Sequence, residues 1–330
     1  MTDGIISVIK PPGMTSHDVI AVTRRILGEK KAGHCGTLDP QAAGVLPVCL
    51  GAATRLADYV TNDSKGYYGE MLLGAETDTM DAWGRKTREY PPGRHSLEEV
   101  RQAAAGLVGR QSQEVPAYSA VKVGGQALYK KARQGLEETG IYREVRIYRL
   151  DILEVNGPKI RFYVHCGKGT YVRTLCRDLA RALGSGGHMT FLIRVQTGAF
   201  TLANSVTLEE LMEKKAGLLL PKELAVAGLA AIRPEESAVK RIRQGQSLWL
   251  PESAYFPASD SGQAFPASAG PRMPDSSGAA APDVGAPAAE MERACAFDAL
   301  GRLAAIGDWS VGWGIRRGQG LFKPSKVFQP

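Results

Sequence analysis

Residues 33–44 read "GHCGTLDPQAAG". They contain a single acid, Asp39, with glycines at 33, 36 and 44 around it and Pro40 directly after it. Proline drives the preceding residue to extended backbone angles, and Asp at the N-cap with Pro at the first helical position is a favoured helix start. Taken alone, Asp39 therefore reads first as a helix cap. The glycines point elsewhere, because a residue without Cβ lets backbone approach a ligand closely and a cap needs none of them. Which role Asp39 has depends on what the rest of the chain brings to it.

The 330 residues suffice for two domains, and 44% hydrophobic with 23% charged residues is the make-up of a chain that buries a core. The N-terminus, "MTDGIISVIKPPG", has no basic region followed by a long apolar run, so it is not a signal peptide. The most apolar long stretch, "AGLLLPKELAVAGLAAI", is broken by Pro221, Lys222 and Glu223 and cannot span a bilayer. A cytoplasmic protein is expected. The five cysteines (35, 49, 166, 176 and 295) have no CxxC spacing and the histidines are scattered, which indicates neither a zinc site nor a disulfide framework. Cys35 reads as a small packing residue rather than a reactive thiol. The net charge of +7 is unevenly placed: residues 251–330 sum to −1 and the first 250 to +8. A basic main body points to a polyanionic partner, with nucleic acid the usual one.

Residues 251–290 hold seven of the 19 prolines and are otherwise mostly Ala, Ser and Gly, which reads as a disordered insertion. After it, "ACAFDALGRLAAIGDW" suits a hairpin turning at "DALG". A small β-rich C-terminal domain, 233–330, interrupted by that insertion, is expected after a first domain of residues 1–232. In the first domain "GIISVIK", "YYGEMLLG" and the alternating "IRFYVHC" read as strands. Thr15 with Asp18 and Ser96 with Glu99 read as capping boxes, and "TLEEL" as the start of a short helix. Strands and helices do not alternate strictly, so the fold class is α+β with a mixed or antiparallel central sheet flanked by helices.

Two further stretches can carry chemistry. In "CGKGTYVRTLCRDLARALG" (166–184) apolar residues recur at helical spacing, Thr170 reads as the N-cap and Gly184 as the stop. Arg173 then falls in the first turn, where the helix dipole is positive and a cation costs about 0.3–1 kcal/mol when exposed. An arginine so placed invites an anionic partner, whereas Arg177 and Arg181 on the same face read as a solvated stripe. In "SKGYYGEMLLGAETDTMDAWG" two tyrosines open a strand and are either packing residues or, in a basic protein, a surface for stacking a base. The acids Glu76, Asp78 and Asp81 lack metal-loop spacing and read as a turn.

In this order, "KPPGMTSHDV", "GHCGTLDPQAAGVLPVCLGAATRL", "KGYYGEMLLGAETDTMDAWG", "VPAYSAVKVGGQALYKKARQG" and "GKGTYVRTLCRDLARALG" resemble the bacterial tRNA pseudouridine-55 synthases, the TruB family. The resemblance covers residues 4–200 densely; "GRLAAIGDW" and "GLFKPSKVF" look like that family's PUA-like C-terminal domain, from which the proline-rich insertion is a departure. It implies a pseudouridine synthase fold and an isomerase that everts uridine 55 in the T-arm of tRNA, breaks its glycosidic C–N bond and rejoins the uracil through carbon, with no cofactor and no metal. It implies Asp39 as the nucleophile, Tyr67 as the tyrosine that stacks on the target base, His34 in base extrusion, and Tyr171, Arg173 and Leu192 in the substrate pocket. Tyr171 stays open between an acid/base and a packing role. The segment 116–142 looks like the mobile thumb that grips the T-arm, with Lys122, Lys130, Lys131 and Arg133 as backbone contacts. The expected partner is tRNA through its T-arm, with the acceptor stem left as a further contact for the C-terminal domain, no membrane, no obligate protein partner and a monomer.

The resemblance gives Arg173 its partner. Desolvation disfavours a carboxylate, and a neighbouring guanidinium offsets this, so Asp39 paired with Arg173 is ionised as attack requires. A synthase acting on another RNA, alone or within a guide-RNA complex, and a non-catalytic tRNA-binding or tRNA-folding protein are the alternatives.

Overall fold

The computed structural model describes residues 3–91, 93–136, 140–258, 290–311 and 319–329. The chain forms two compact units, Met1–Pro221 and Lys222–Pro330. The first runs β1 (Gly4–Lys10), α1 (Ser16–Leu27), β2 (Ala32–His34), β3 (Ala43–Leu50), α2 (Ala57–Asn62), β4 (Lys65–Leu73), β5 (Ala75–Thr77) and β6 (Lys86–Glu89). It continues with α3 (Leu97–Ala105), β7 (Gly109–Glu114), β8 (Lys122–Val123), β9 (Gln126–Ala127), α4 (Leu128–Arg133), β10 (Tyr142–Asn156) and β11 (Lys159–Cys166). It ends with α5 (Val172–Ala182), β12 (Gly187–Thr197), β13 (Phe200–Thr201) and α6 (Leu208–Lys214).

The main sheet has the order β1-β3-β12-β4-β11-β10-β7, with β2 on β3 and β13 on β12. Its β3–β12 pair is parallel and the neighbours along the rest of that order are antiparallel, so the sheet is mixed, as the irregular alternation of elements predicts. The period-two pattern of β11 holds: Ile160, Phe162, Val164 and Cys166 are buried and Arg161 is exposed. On that buried face α5 packs Leu175, Cys176, Leu179 and Ala180 against Met71, Phe162 and Met189. Gly69 on β4 leaves the space that Phe162 fills, since a Cβ there would lie 2.4 Å from the Phe162 ring. A second cluster joins α1 and α6 to β1 and β3 through Val19, Leu211, Ile6, Val8, Leu46 and Val48. Capping boxes start α1 at Thr15, α3 at Ser96 and α6 at Thr207.

Two details of α5 differ from expectation. Its N-cap is Tyr171, not Thr170, because the Thr170 hydroxyl donates to the Gly167 carbonyl (2.9 Å) and is spent on the preceding turn. The Tyr171 amide donates instead to the Gln113 side chain, 3.0 Å away. Arg177 is not solvated: it is buried, 2.6 Å from Glu114 and 3.0 Å from Asp178, because its helix face turns toward β7. Arg181 is the exposed member of the stripe, with Glu76 at 3.5 Å, and Gly184 stops the helix at φ 71°.

The second unit contains β14 (Ala230–Ile232), α7 (Glu236–Arg243), β15 (Leu248–Pro251), β16 (Tyr255–Phe256), β17 (Glu290–Phe297), β18 (Leu303–Val311) and β19 (Gln319–Val327). Its sheet has the order β15-β19-β18-β17-β14-β16, the small β-rich architecture expected of a PUA-like domain. The unit starts at Lys222 rather than 233, because β14 pairs with β17 and β16, and Glu223 accepts a bond from the Leu303 amide at 2.8 Å. Residues 251–256, expected to open the insertion, are ordered instead: Pro251 closes β15, Tyr255 and Phe256 pair with β14, and the Tyr255 ring stacks on Trp309 at 5.4 Å. Residues 259–289 of the expected insertion lie outside the described residues. The β17–β18 hairpin turns where "DALG" predicts. Among the described residues no helix is long and apolar enough to cross a membrane.

Phe162 is 1% exposed at the centre of the main sheet. Phe162→Ala is expected to lower unfolding free energy by about 3–5 kcal/mol, read as a fall in the urea midpoint by circular dichroism. An unchanged midpoint would place the core elsewhere.

Candidate active site

Between β2 and β3 the chain makes no helix. The Ala42 amide donates to the Asp39 carbonyl at 3.0 Å, closing a four-residue turn with Pro40 in its second position. Asp at the first position and Pro at the second suit such a turn as well as they suit a helix start. What decides between them is the following run, "AGVLPVCL", which pairs with β1 from Gly44 to Leu50 and with β12 at Ala43, and so is drawn directly into the sheet. The cap reading of Asp39 is therefore wrong, and its carboxylate is free for other work.

The turn is braced from three sides. The Lys10 ammonium donates to the carbonyls of Pro40 (2.9 Å), Pro11 (2.9 Å) and Met14 (2.7 Å). The Leu38 amide donates to the Ser16 hydroxyl at 3.0 Å, and that hydroxyl lies 3.2 Å from the Leu38 carbonyl. Arg194 on β12 donates from Nη2 to Gly36 (3.0 Å) and from Nε to Val45 (2.7 Å), at either end of the turn. Gly44 has φ 108°, and a Cβ there would lie 2.1 Å from the Arg194 carbonyl oxygen, so the turn can meet β12 only through glycine.

Into this turn α5 sends Arg173. Its Nε lies 2.9 Å from Asp39 Oδ2 and its Nη2 donates to Oδ1 at 3.3 Å, the two-pronged geometry a guanidinium makes with a carboxylate. The remaining donors reach the carbonyls of Thr79 (3.1 Å) and Tyr118 (3.0 Å). The Arg173 side chain is 6% exposed and that of Asp39 40%, so the cation is locked in the wall while the acid looks outward. The arginine that the helix dipole disfavours is thus satisfied by a carboxylate 134 positions away.

Tyr67 lies on β4 opposite Val164 of β11 and Arg194 of β12. It belongs to the same core cluster as Leu38 and Leu192, the latter on β12 opposite Gly69. Burial pushes the Tyr67 phenol up to about 12, with Arg194 opposing part of the rise, so the group is neutral at ordinary pH. His34 ends β2 with its ring edge-on to His17, centroids 5.3 Å apart. Burial, and secondarily the charge of His17, lowers His34 to about 4, and its Nδ1 is buried without a hydrogen-bond partner among the described residues. Tyr171 is half-buried at the head of α5, its backbone held by Gln113.

The segment 116–142 leaves the sheet between β7 and β10. It carries Lys122 on β8 and Lys130, Lys131 and Arg133 on α4; Lys122, Lys130 and Arg133 are exposed, the last with its guanidinium 5.7 Å from the Tyr129 ring centroid. From this segment it is the Tyr118 carbonyl that reaches the Asp39–Arg173 pair. Residues 137–139 of it lie outside the described residues.

Arg194, Lys10 and Lys65 escaped the sequence reading. All three are buried cations, Lys65 donating to the carbonyls of Thr61 (2.8 Å) and Asp63 (2.6 Å). For two of them a signal is present: Arg194 sits within the largely apolar "FLIRVQTG", and Lys10 closes the apolar "GIISVIK". Cys35 is buried as expected, its sulfur 3.3 Å from that of Cys49, both thiols free.

Residues 24–172 match the TruB family pseudouridylate synthase N-terminal domain, and residues 173–240 the tRNA pseudouridylate synthase B C-terminal domain. The chain is 46% identical over 246 residues to tRNA pseudouridine synthase B of Symbiobacterium thermophilum, covering 74% of this chain and 82% of that protein. It is 42% identical over 261 residues to the protein of the same name from Geobacillus kaustophilus, covering 76% and 92%. Among solved structures it is similar to one described as a crystal structure of a Cbf5-Nop10-Gar1 complex, with a TM-score of 0.72 and 27% identity, covering 100% of this chain and 86% of that one. With the sheet, the turn and the paired carboxylate in place, these similarities settle the assignment: the chain belongs to the TruB family of pseudouridylate synthases.

Proposed function

We propose that this enzyme converts uridine 55 in the T-arm of tRNA to pseudouridine, with Asp39 as the nucleophile. The observation that carries the reading is the forked Arg173–Asp39 pair: a carboxylate in a glycine-rich turn, oriented by a buried guanidinium and still open on one side. Tyr67 and Leu192, in the core cluster with Leu38, support a pocket for a flat base beside it.

The reaction is an isomerisation. The bond from C1′ to N1 breaks, a bond from C1′ to C5 forms, and the proton lost at C5 is balanced by one gained at N1, so no oxidant, reductant or cofactor enters. Taking the base out of its stack costs a few kcal/mol, of which an aromatic face recovers part. Tyr67 supplies that face. It is 7% exposed, so an everted base reaches it only once the wall of the pocket opens. Asp39 then adds to the sugar or to the base, or takes a sugar proton, and Arg173 keeps the carboxylate aimed while charge moves. His34, neutral and partly buried beside the turn, fills space in the vacated stack rather than transferring a proton. The exposed cations Lys122, Lys130 and Arg133 contact T-arm phosphates. In the second unit a cleft of about 490 Å³, lined by Arg233, Ser237, Arg241 and Trp249 among others, suits the acceptor stem.

Asp39→Asn is expected to abolish pseudouridine formation on a tRNA transcript while tRNA affinity stays within a few-fold; turnover by this variant refutes the nucleophile assignment. Transcripts lacking the T-arm uridine should yield no product, and full activity on them would move the target elsewhere. Arg173→Lys should cut kcat by about tenfold or more, since lysine lacks the planar fork; an unchanged kcat counts against the pair. Affinity should fall linearly on a log–log plot against salt as phosphate contacts are lost. Because His34 is held near 4, below its ordinary value, it is neutral in the free enzyme from pH 5 to 8. The profiles of kcat/KM for wild type and His34→Gln should therefore share one shape over that range, whatever their heights; a step near 6.5 present only in wild type would make His34 a titrating participant.

A further inference from the structure

We propose that Arg194 is a positioning residue for Asp39, a buried clamp whose two guanidinium bonds fix both ends of the catalytic turn. The proposal rests on the reading of Asp39 as the nucleophile. Arg194 is 1% exposed and among the largest fully buried side chains. Among the described residues no carboxylate forms an ion pair with it. Its charge instead acts unfavourably on neighbouring Lys10, Lys65 and His34, adding to the burial that already disfavours their charged forms. A buried cation without a counter-ion is a poor way to fill a strand, and an apolar residue of similar volume commonly stabilises such a site. What Arg194 does make is specific: Nε to the Val45 carbonyl at 2.7 Å and Nη2 to the Gly36 carbonyl at 3.0 Å.

Those carbonyls bracket Asp39, three positions before it and six after. The backbone of Arg194 also pairs with Gly44 in the parallel β3–β12 ladder and with Tyr67 across β4. One residue thus ties the acid's turn to the strand that carries the stacking tyrosine. Lys10 and Ser16 hold the middle of the turn at Pro40 and Leu38, and Arg194 holds its ends. The planar fork spans two acceptors at fixed separation, which a lysine ammonium cannot do. Misplacing a reacting group by 1 Å can cost about 10²-fold in rate, so a loosened turn should be visible in chemistry before it is visible in binding.

The test is single-turnover pseudouridine formation on tRNA at saturating enzyme, with tRNA affinity and amide hydrogen exchange measured on the same proteins. Arg194→Lys is expected to slow the single-turnover step about 10–100-fold with affinity within about threefold, and Arg194→Gln, which keeps a donor without the charge, to do the same. Loss of exchange protection should centre on residues 36–45 and spare β4 and β11. A near wild-type rate for Arg194→Lys, or protection lost evenly across the sheet, would overturn the proposal. So would global unfolding of both variants, by making Arg194 a residue of the fold rather than of the turn. Asp39→Asn in the same assay separates the failures. If that variant turns over, the nucleophile assignment falls; if it is inactive while Arg194→Lys runs at full rate, this proposal alone falls.

Discussion

A guanidinium in the first turn of a helix faces the positive end of the helix dipole, and Arg173 occupies that place because a carboxylate from a distant turn answers it. The pairing constrains both partners. Arg173 is locked by two backbone carbonyls as well as by Asp39, so α5 must sit at one height on the sheet for all three to be met. Leu175, Cys176 and Leu179, buried against β4 and β11, set that height. Asp39 in turn needs a turn that does not drift, and the braces from Lys10, Ser16 and Arg194 supply it. The ion pair is therefore where the core of the main sheet and the chemistry of the turn meet. Its geometry, with the cation buried and the acid part open, is what allows a carboxylate to be both fixed and reachable.

How much of this was legible in the sequence follows from what each signal encodes. Local signals held: the capping boxes at Thr15 and Ser96 and the alternation of β11 are short-range rules, and tertiary packing does not override them. The Asp39–Pro40 dipeptide was ambiguous because the same two residues open a helix or a β-turn, and the choice is made by the strand after them, which pairs with β1 some forty residues upstream. Arg177 departs from its expected solvated place for a related reason. Its spacing places it on a polar-looking face, and only the course of β7 brings Glu114 beneath it. Thr170 missed the cap by one position because its hydroxyl was already engaged with Gly167. In the second unit, composition placed the insertion too early: Pro251 and Tyr255 look like linker residues, yet both pair into the sheet, where edge-strand proline is tolerated.

The Asp39–Arg173 contact itself spans 134 positions and leaves no local trace beyond an arginine in an unfavourable turn and an acid among glycines. Each was an anomaly with a bland explanation, and the two became informative together. The Arg194 guanidinium shows the complementary case. A charged residue inside "FLIRVQTG" was visible, but its partners are carbonyls, which carry no side-chain signature.

That distinction also changes what the net charge means. The excess of basic residues in the first 250 positions points to a polyanionic partner, but a formal count treats every cation as surface. Lys10, Lys65, Arg173, Arg177 and Arg194 are all buried, and the carbonyls and carboxylates of the protein itself take their hydrogen bonds. These five act inward, shaping the turn and the helix face around it. The cations left facing solvent include Lys122, Lys130 and Arg133, on the excursion between β7 and β10. That excursion is joined to the buried ion pair by the Tyr118 carbonyl, which accepts from Arg173. The Tyr118 carbonyl thus gives that stretch of chain a direct hydrogen bond to the guanidinium that orients Asp39.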